Sequence, residues 1–483
     1  ALWFTDSLVQ RLPPLAVMVA RRRLSVCGIA VIAVGTGIAR QWLGSSPECD
    51  TQPKYVLFGA KHSKDRPAPE DLWPVKCGNL NRTCSTKRIG PKDLTRPRWT
   101  FKVFAITYAA SVVDREGNIY IPTTIGEIFA LDLDGEFRWY FKAHAGDALS
   151  PCIVSGVLFF SDSAGFGYAI DTQTGQPRWQ RRVLDRGSGG NYAVTAGEGL
   201  VIFHEHIGSD GWTEQSRFLA CNATTGAEIW QSRVDVPFYN VMMAFADGGA
   251  TLVFTDMDGG LHKLETKTGA KLWTQPGFPF PLEWPPGGAP RGHSGLALVH
   301  DNIVYSAGNP TKTTGRVRAH RGDTGEVLWV RDVRWMMGNA AAVANIGGVP
   351  ILVFGTGITI LHPMRESTKP FLGTVYGLNA SSGEVLWTFD AEPWMGDFAA
   401  GSILNPMCQR INLPDAFGAP LIDGDGTVYI GWHGGILYAI DGRTGKKISE
   451  YRTGEGIQSG PAMGLHGDII VASGTTTFAF SST

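Results

Sequence analysis

The sequence predicts an all-β protein folded as an eight-bladed β-propeller. Three observations predict it: a phrase that recurs seven times, intervals of 40 to 62 residues between copies, and an eighth copy divided between two distant segments. The phrase reads A-x-(D/N)-x-x-T-G-x-x-x-W and follows an apolar, strand-like run. A repeat of about 40–50 residues that supplies four short strands is the size of one propeller blade. The longer intervals in the later copies predict loop insertions.

The phrase has the chemistry of a tight turn between two strands. Its Asp or Asn, as at Asp171 or Asn222, hydrogen-bonds its own backbone two residues on and starts the turn. The glycine that follows lets the chain take positive φ and reverse direction. Each phrase is therefore predicted to be the outer hairpin of a blade. The turn glycines are Gly135, Gly175, Gly226, Gly269, Gly325, Gly383 and Gly445.

A tryptophan lies on the returning strand, four residues after the glycine in most copies. A flat ring at a fixed place in every blade is predicted to pack on the neighbouring blade and bury a large apolar area. The seventh copy carries Ser449 at this position instead. The tryptophans expected to dock one blade on the next are Trp99, Trp139, Trp179, Trp230, Trp273, Trp329 and Trp387.

The eighth blade is predicted to be split between the two ends of the repeat region. The chain ends in DIIVASGTTTFAFSST, interpreted as a third strand with no turn and no tryptophan after it. The missing outer strand is available as RPRWTF, which contains Trp99. An N-terminal strand that completes the last blade is expected to close the ring with no free sheet edges.

Composition and charge agree with a turn-rich, aromatic-rich domain preceded by a basic segment. The chain holds 61 Gly and 15 Trp, and 18% of its residues are charged. Net charge is +2 over residues 1–50, +8 over 51–102 and −11 over 103–483. The negative propeller argues against nucleic acid as a partner. The basic stretch is either a solvated connector or a contact for anionic lipid or an acidic partner.

The N-terminal region predicts a membrane anchor. Residues 24–39 are uncharged and mostly apolar, Arg21 to Arg23 precede them, and Arg40 and Trp42 follow. Sixteen residues are short for a span, but snorkelling and an interfacial Trp extend the candidate anchor to 24–44. A cleavable signal or transit region is the alternative. The predicted organisation is a tail over 1–50, a basic linker and lead-in over 51–94, and the propeller over 95–483.

The repeat resembles that of the eight-bladed propellers with pyrroloquinoline-quinone-type repeats, the quinoprotein alcohol dehydrogenase-like superfamily. The lead-in LWPVKCGNLNRTCSTKRIGP followed by RPRWTF is similar to the one common in these proteins, and the resemblance covers about residues 72–483. The resemblance is highly specific for the propeller fold and only weakly specific for an activity. Quinoprotein dehydrogenases of this fold carry adjacent cysteines stacked on the quinone and a Glu/Asn/Asp set on calcium. This chain has no Cys-Cys pair.

Three groups of residues are candidates for sites. Cys77 and Cys84 flank GNLNRT and form a local disulfide or remain two free thiols. Polar residues expected near the central channel are His144, Asp147, Asn191, His293, Asn339 and Gln458. Long insertions over 277–295 and 391–414 are rich in aromatics and Met, which suits either loops that cover the channel mouth or a protein contact. Their candidate contact residues are Trp284, Trp394, Met395, Phe398 and Met407.

These observations predict a non-catalytic, membrane-tethered propeller that serves as a docking platform or accessory subunit of a larger membrane complex. No catalytic, cofactor or metal residues are assigned. The expected partners are other protein subunits and the bilayer, with the propeller on the lumenal or extracytoplasmic side. Two alternatives stay open: a quinoprotein dehydrogenase that uses pyrroloquinoline quinone with calcium, and a polysaccharide- or peptide-binding module.

Overall fold

The structure is a computed structural model that describes residues 72–482, apart from 108, 147, 186–192, 207–215, 237–239, 278–296, 312, 358–369, 397–398 and 402–416. The candidate anchor over 24–44 and the linker up to residue 71 lie outside the described residues. Within the described part, no helix is long and apolar enough to cross a membrane.

Eight four-stranded antiparallel sheets form the ring, which confirms the predicted eight-bladed propeller. Blade 1 comprises β2 (Val112–Val113), β3 (Ile119–Pro122), β4 (Glu127–Leu131) and β5 (Phe137–Lys142). Blade 2 comprises β6 (Cys152–Val154), β7 (Val157–Ser161), β8 (Phe166–Asp171) and β9 (Pro177–Arg182). Blade 3 comprises β10 (Thr195–Gly197), β11 (Leu200–His206), β12 (Ser216–Asn222) and β13 (Glu228–Val234). In blades 1 to 7 the strands run in chain order from the innermost to the outermost.

Blade 4 comprises β14 (Ala244–Ala246), β15 (Thr251–Thr255), β16 (Leu261–Glu265) and β17 (Lys271–Gln275), with a 3-10 turn over Asp247–Gly249. Blade 5 comprises β18 (Ala297–His300), β19 (Ile303–Thr311), β20 (Thr314–Arg321) and β21 (Val327–Arg334). Blade 6 comprises β22 (Ala342–Ile346), β23 (Val349–Gly357), β24 (Gly373–Asn379) and β25 (Val385–Asp390). Blade 7 comprises β26 (Leu421–Ile422), β27 (Thr427–Trp432), β28 (Ile436–Asp441) and β29 (Lys447–Arg452).

Blade 8 is assembled from both ends of the described chain. Its inner strands are β30 (Ala462–Met463), β31 (Ile469–Ser473) and β32 (Thr476–Phe480), and its outer strand is β1 (Trp99–Lys102). β1 pairs antiparallel with β32, with Trp99 opposite Ala479, as predicted for the split blade. The C-terminal segment predicted as one strand is in fact two, because the chain reverses at Gly474, which has a φ of 53°.

The recurring tryptophan lies against the turn glycine of the following blade. A Cβ added to Gly175 would lie 2.7 Å from the Trp139 ring, and the same close approach occurs at six further joints. Only glycine leaves this space and also adopts the positive φ of the turn. The pairs are Trp99 on Gly135, Trp139 on Gly175, Trp179 on Gly226, Trp230 on Gly269, Trp273 on Gly325, Trp329 on Gly383, and Trp387 on Gly445.

The joint between blades 7 and 8 is closed differently. Ser449 replaces the tryptophan, and its hydroxyl donates to the Lys92 carbonyl at 2.6 Å and accepts from the Leu94 backbone N–H. At this joint the lead-in segment therefore takes the place of the tryptophan side chain. Elsewhere, apolar clusters fill the spaces between adjacent sheets, so the core is a circle of sheet-to-sheet contacts.

Candidate functional site

One mouth of the central channel is plugged by residues 73–85 of the lead-in, here called the plug. Its backbone pairs with the innermost strands of six blades, which are blades 1, 2, 4, 5, 6 and 7, so we infer that the plug crosses the channel. The pairs are Trp73 with Val113, Val75 with Cys152, Leu80 with Phe245, Asn81 with Val299, Thr83 with Val343, and Ser85 with Ile422.

Arg82 is the centre of the plug and is fully buried. Its guanidinium donates to the carbonyl oxygens of Met243 at 2.9 Å and Lys76 at 2.8 Å, and to the Thr195 hydroxyl at 2.8 Å. Burial lowers the pKa of Arg82 to about 10, because these hydrogen-bond acceptors are neutral and only partly replace water. A buried cation held by carbonyl groups ties the plug to blades 3 and 4.

The structure joins Cys77 and Cys84 in a disulfide, with the two sulfurs 2.12 Å apart. Both cysteines are buried, and both adopt positive φ, as does Arg82. Gly78 accommodates the Trp73 ring, because an added Cβ would lie 2.5 Å from it. Three non-glycine residues in left-handed conformation within one short loop persist only when their surroundings fix them. The disulfide and the inter-blade hydrogen bonds supply that constraint.

The channel residues predicted from sequence do not converge on one site in the described part of the chain. His144 lies at the joint of blades 1 and 2, where it stacks on Phe166 at 4.2 Å and contacts the Tyr168 hydroxyl at 2.9 Å. Asn339 donates to the Gln458 carbonyl at 3.0 Å and accepts from the Ala340 N–H, so it links blades 6 and 8. Asp147, Asn191 and His293 lie outside the described residues.

Among the described residues, no three His, Cys, Asp or Glu side chains come together at metal-binding distances. The Asn339 amide and the Arg82 guanidinium, which have the right chemistry for a polar ligand, are engaged with protein groups. We therefore derive no chemical step through a quinone.

The candidate contact loops are described only in part. Trp394 is half-buried and exchanges two backbone hydrogen bonds with Phe371. Met395, next to it, is 58% exposed. Trp284, Phe398 and Met407 lie outside the described residues. A contact role for this loop stays a prediction.

The outer rim differs from blade to blade, and sequence reasoning missed this difference. In blades 5 and 6, five aliphatic side chains next to the recurring tryptophans are between 39% and 49% exposed, whereas blades 3 and 4 each expose a single one there, Ile229 at 47% and Leu272 at 52%. In blade 2 the corresponding strand begins with Pro177 and carries Arg178, Arg181 and Arg182. A position-by-position comparison of residues beside each tryptophan would have revealed the contrast. The exposed aliphatic residues are Val327, Leu328, Val330, Val385 and Leu386.

A groove of about 470 Å³ adjoins this rim between blades 6 and 7. Its wall is mostly apolar, and the Arg443 guanidinium is its one charged group. It shares Leu386 with the exposed rim of blade 6, so groove and rim form one continuous surface. The lining residues are Ile346, Gly347, Val349, Ile351, Leu386 and Arg443.

Comparison with known proteins places this architecture among the repeat propellers. A family model described as outer membrane protein assembly factor BamB matches residues 95–206 and 194–361, which together exceed half of the chain. Tetrathionate hydrolase of Acidithiobacillus ferrooxidans is 26% identical over 274 residues, 52% of this chain and 51% of that protein. BamB of Yersinia pestis is 24% identical over 246 residues, 50% of this chain and 56% of that protein.

Solved structures show the same fold. Quinohemoprotein alcohol dehydrogenase from Comamonas testosteroni superposes with a TM-score of 0.64 at 13% identity, over 85% of this chain and 80% of that one. At this identity the similarity establishes the fold alone. The chain spans about half the length of the curated relatives named above. These relatives include an assembly factor and enzymes, so the comparisons favour neither class.

Proposed function

This chain belongs to the family of repeat propellers whose model is described as outer membrane protein assembly factor BamB, and we propose that it is a non-catalytic docking platform of a membrane assembly. The observation that carries the proposal is the aliphatic outer rim of blades 5 and 6. The predicted anchor over 24–44 tethers the platform to the membrane. The proposal assigns the propeller the task of holding a partner subunit, with the plug and the tryptophan joints making the ring rigid.

The outer strand of blade 5 has the properties of a strand-addition site. Among the described strands, β21 pairs with β20 alone, so one edge of its backbone is free, contrary to the expectation of no free sheet edges. Proteins usually protect such edges with proline, lysine or other charges, and β9 of blade 2 does so from its first residues. β21 is eight residues long and starts Val-Leu-Trp-Val, and its charged residues Arg331, Asp332 and Arg334 lie only in its second half. We propose that an extended segment of a partner protein pairs with this edge.

The neighbouring groove supplies side-chain recognition for the same partner. Its aliphatic walls suit an apolar side chain, and Arg443 at its border suits a carboxylate. The partner segment is therefore expected to alternate apolar residues with at least one acidic residue. The family's description as an assembly factor supports a protein partner, and no observation on the described residues favours a small substrate.

The test gives the outer strand of blade 5 the charged sequence that the outer strand of blade 2 carries. Leu328→Arg with Val330→Gln gives β21 the Arg-Trp-Gln sequence of blade 2. Ile229→Arg creates the same sequence in blade 3, where Gln231 is already present, and is the matched control. The full chain is purified from its native membranes in mild detergent, and subunits that accompany it at a fixed ratio are quantified by mass spectrometry.

The blade 5 variant is expected to lose its partner while the blade 3 control retains it, with both melting temperatures unchanged. Equal loss in both variants, or retention in both, would contradict docking at β21. Loss of a second copy of this chain, rather than of another protein, would identify self-association instead. Stoichiometric binding of added pyrroloquinoline quinone with calcium, together with dye-linked alcohol oxidation, would overturn the non-catalytic assignment.

A further inference from the structure

Beyond the plug, residues 86–92 of the lead-in run across blade 7 and are fixed to it by their backbone. The Gly424 N–H donates to the Arg88 carbonyl at 2.7 Å, and the Gly90 N–H donates to the Asp423 carboxylate at 2.9 Å. The Tyr429 hydroxyl donates to the Pro91 carbonyl at 3.0 Å. The segment is therefore held in place without help from its outward side chains.

The side chains between these anchor points face outward. Lys87 and Lys92 are exposed, and Ile89 between them is 53% exposed. Arg88 is partly buried and donates to the Leu465 carbonyl on blade 8 at 2.7 Å. The anchored segment thus presents an aliphatic side chain flanked by two lysines, at a position fixed by the fold.

A turn of blade 7 extends this basic surface. The Gly442 N–H donates to the Gly426 carbonyl at 2.9 Å, which ties the β28–β29 turn to the turn that holds Arg88. Arg443, Lys446 and Lys447 on that turn are exposed. We use the name basic face for the surface formed by Lys87, Ile89, Lys92, Lys446 and Lys447, and leave Arg443, which lines the groove, out of it.

Part of this charge is not neutralised by neighbouring carboxylates. Lys92 pairs with Asp425 at 3.2 Å, and Lys447 pairs with Glu450 at 2.7 Å. Within the described ranges, Lys87 and Lys446 form no ion pair. Since residues 103–483 carry −11 overall, the basic face is a local reversal of sign. Such a reversal orients the molecule towards an anionic surface.

We propose that the basic face binds an anionic lipid surface. A lysine or arginine near such a surface contributes about 1 kcal/mol, and an aliphatic side chain among them enters the headgroup boundary. Ile89 projects from the exposed segment rather than lining a groove, which suits a deformable headgroup layer better than a folded acidic protein. The inference deepens the proposed function: the tethered platform lies with blade 7 towards the bilayer and its rim directed along the membrane.

Amine footprinting of the full chain tests this orientation without interference from the predicted anchor. Lysine acetylation is measured by mass spectrometry on vesicles of phosphatidylcholine alone and on vesicles containing about 30% phosphatidylglycerol as the anionic lipid. Lys87 and Lys446 are the reporters. Lys267 and Lys271, exposed on blade 4, are the internal controls.

Acetylation of Lys87 and Lys446 is expected to fall about fivefold on anionic vesicles only, the factor that roughly 1 kcal/mol per basic residue gives. Salt at about 0.5 M should restore acetylation, because the shorter Debye length screens the attraction between the lysines and the anionic lipid. Lys267 and Lys271 should not change. In an Ile89→Ser variant the protection of Lys446 should weaken, whereas Leu272→Ser on blade 4 should leave it unchanged.

Unchanged acetylation of Lys87 and Lys446, equal protection on neutral vesicles, or equal protection of the blade 4 lysines would overturn the proposal. Protection by a soluble acidic protein in the absence of vesicles, with none on vesicles, would assign the face to protein instead. The result is separable from the proposed function, because Leu328→Arg with Val330→Gln should abolish partner binding and leave the lysine footprint intact.

Discussion

Blades 2 and 5 share the same tryptophan joint and have different exteriors. In both, the recurring tryptophan donates its indole N–H to a carbonyl of the next blade at 2.9 Å, Trp179 to Ala223 and Trp329 to Ala380. Outside, blade 2 presents Pro177 and three arginines, whereas blade 5 presents Val327, Leu328 and Val330. The positions that close the ring are fixed by packing, so the exposed positions are free to vary. Variation there is the better guide to function.

The shared joint is expected to give the largest effect. Trp179→Ala and Trp329→Ala should each lower the free energy of unfolding by about 3–5 kcal/mol, because each removes a large ring from a joint that cannot collapse around a glycine turn. Thermal unfolding of both variants measures this. Nearly equal losses support a common joint, whereas a clear loss in one blade and none in the other would show that the joints are not equivalent.

Blade 5 contains a buried histidine that blade 2 lacks, and pH is expected to reveal it. His320 stands where five other copies have Leu or Ile, as at Ile170, and one has Cys221. It contacts the Ser306 hydroxyl at 2.9 Å and the Gly325 carbonyl at 3.1 Å. Burial lowers the pKa of His320 to about 4, so the folded state excludes a proton that the unfolded state binds below about 6.5.

The free energy of unfolding should therefore fall by up to about 3 kcal/mol as pH drops from about 6.5 to 4. Ser306→Ala with His320→Leu restores the apolar pattern of the other blades. This double variant should lack the pH-dependent part of the free energy of unfolding. Its stability at pH 7 should be nearly unchanged, because the Ser306 hydroxyl and the His320 ring are replaced together. Urea unfolding at several pH values compares the two proteins. Identical pH dependence would contradict the assignment.

The smallest effect is expected in blade 4, where the interior takes an alternative form. Lys263 replaces the small residue beside the tryptophan and donates to the Gly322 carbonyl at 2.6 Å. In the described part of the chain, Trp273 consequently has no partner for its indole N–H. Lys263→Ala frees that carbonyl for Trp273 and also removes the ion pair of Lys263 with the 40% exposed Asp247 at 2.7 Å, so the net loss should be about 1 kcal/mol. Unfolding of Lys271→Ala is the control, and a Lys263 loss above about 3 kcal/mol would show that the buried amine is required.

The sequence predicts what repeats and fails where nothing repeats. Glycine turns and tryptophans recur at fixed spacing, so blades, joints and the closure by Trp99 follow from local chemistry. The plug carries no period, and Arg82 is indistinguishable in sequence from the solvated basic residues around it. Eight of the twelve basic residues in 51–102 fall within 72–102. Only tertiary contacts separate the buried ones from those of the basic face.

The rim could not be identified from the pattern alone for a different reason. A valine or leucine beside the recurring tryptophan fits a buried strand as well as an exposed one. The alternation of residues along an outer strand does not show on which side a neighbouring strand is missing. Leu328 is exposed because, among the described strands, blade 5 has no fifth strand beside β21. That is a property of the assembled ring rather than of any one repeat.

Site-specific photocrosslinking in native membranes tests docking at the blade 5 rim most directly. A photoreactive residue is placed at Leu328 on blade 5, at Arg178 on blade 2, or at Met395 in the loop after blade 6. The account predicts a crosslink to a different protein from position 328 and none from position 178. A crosslink from position 395 alone, or equal crosslinks from 178 and 328, would contradict it.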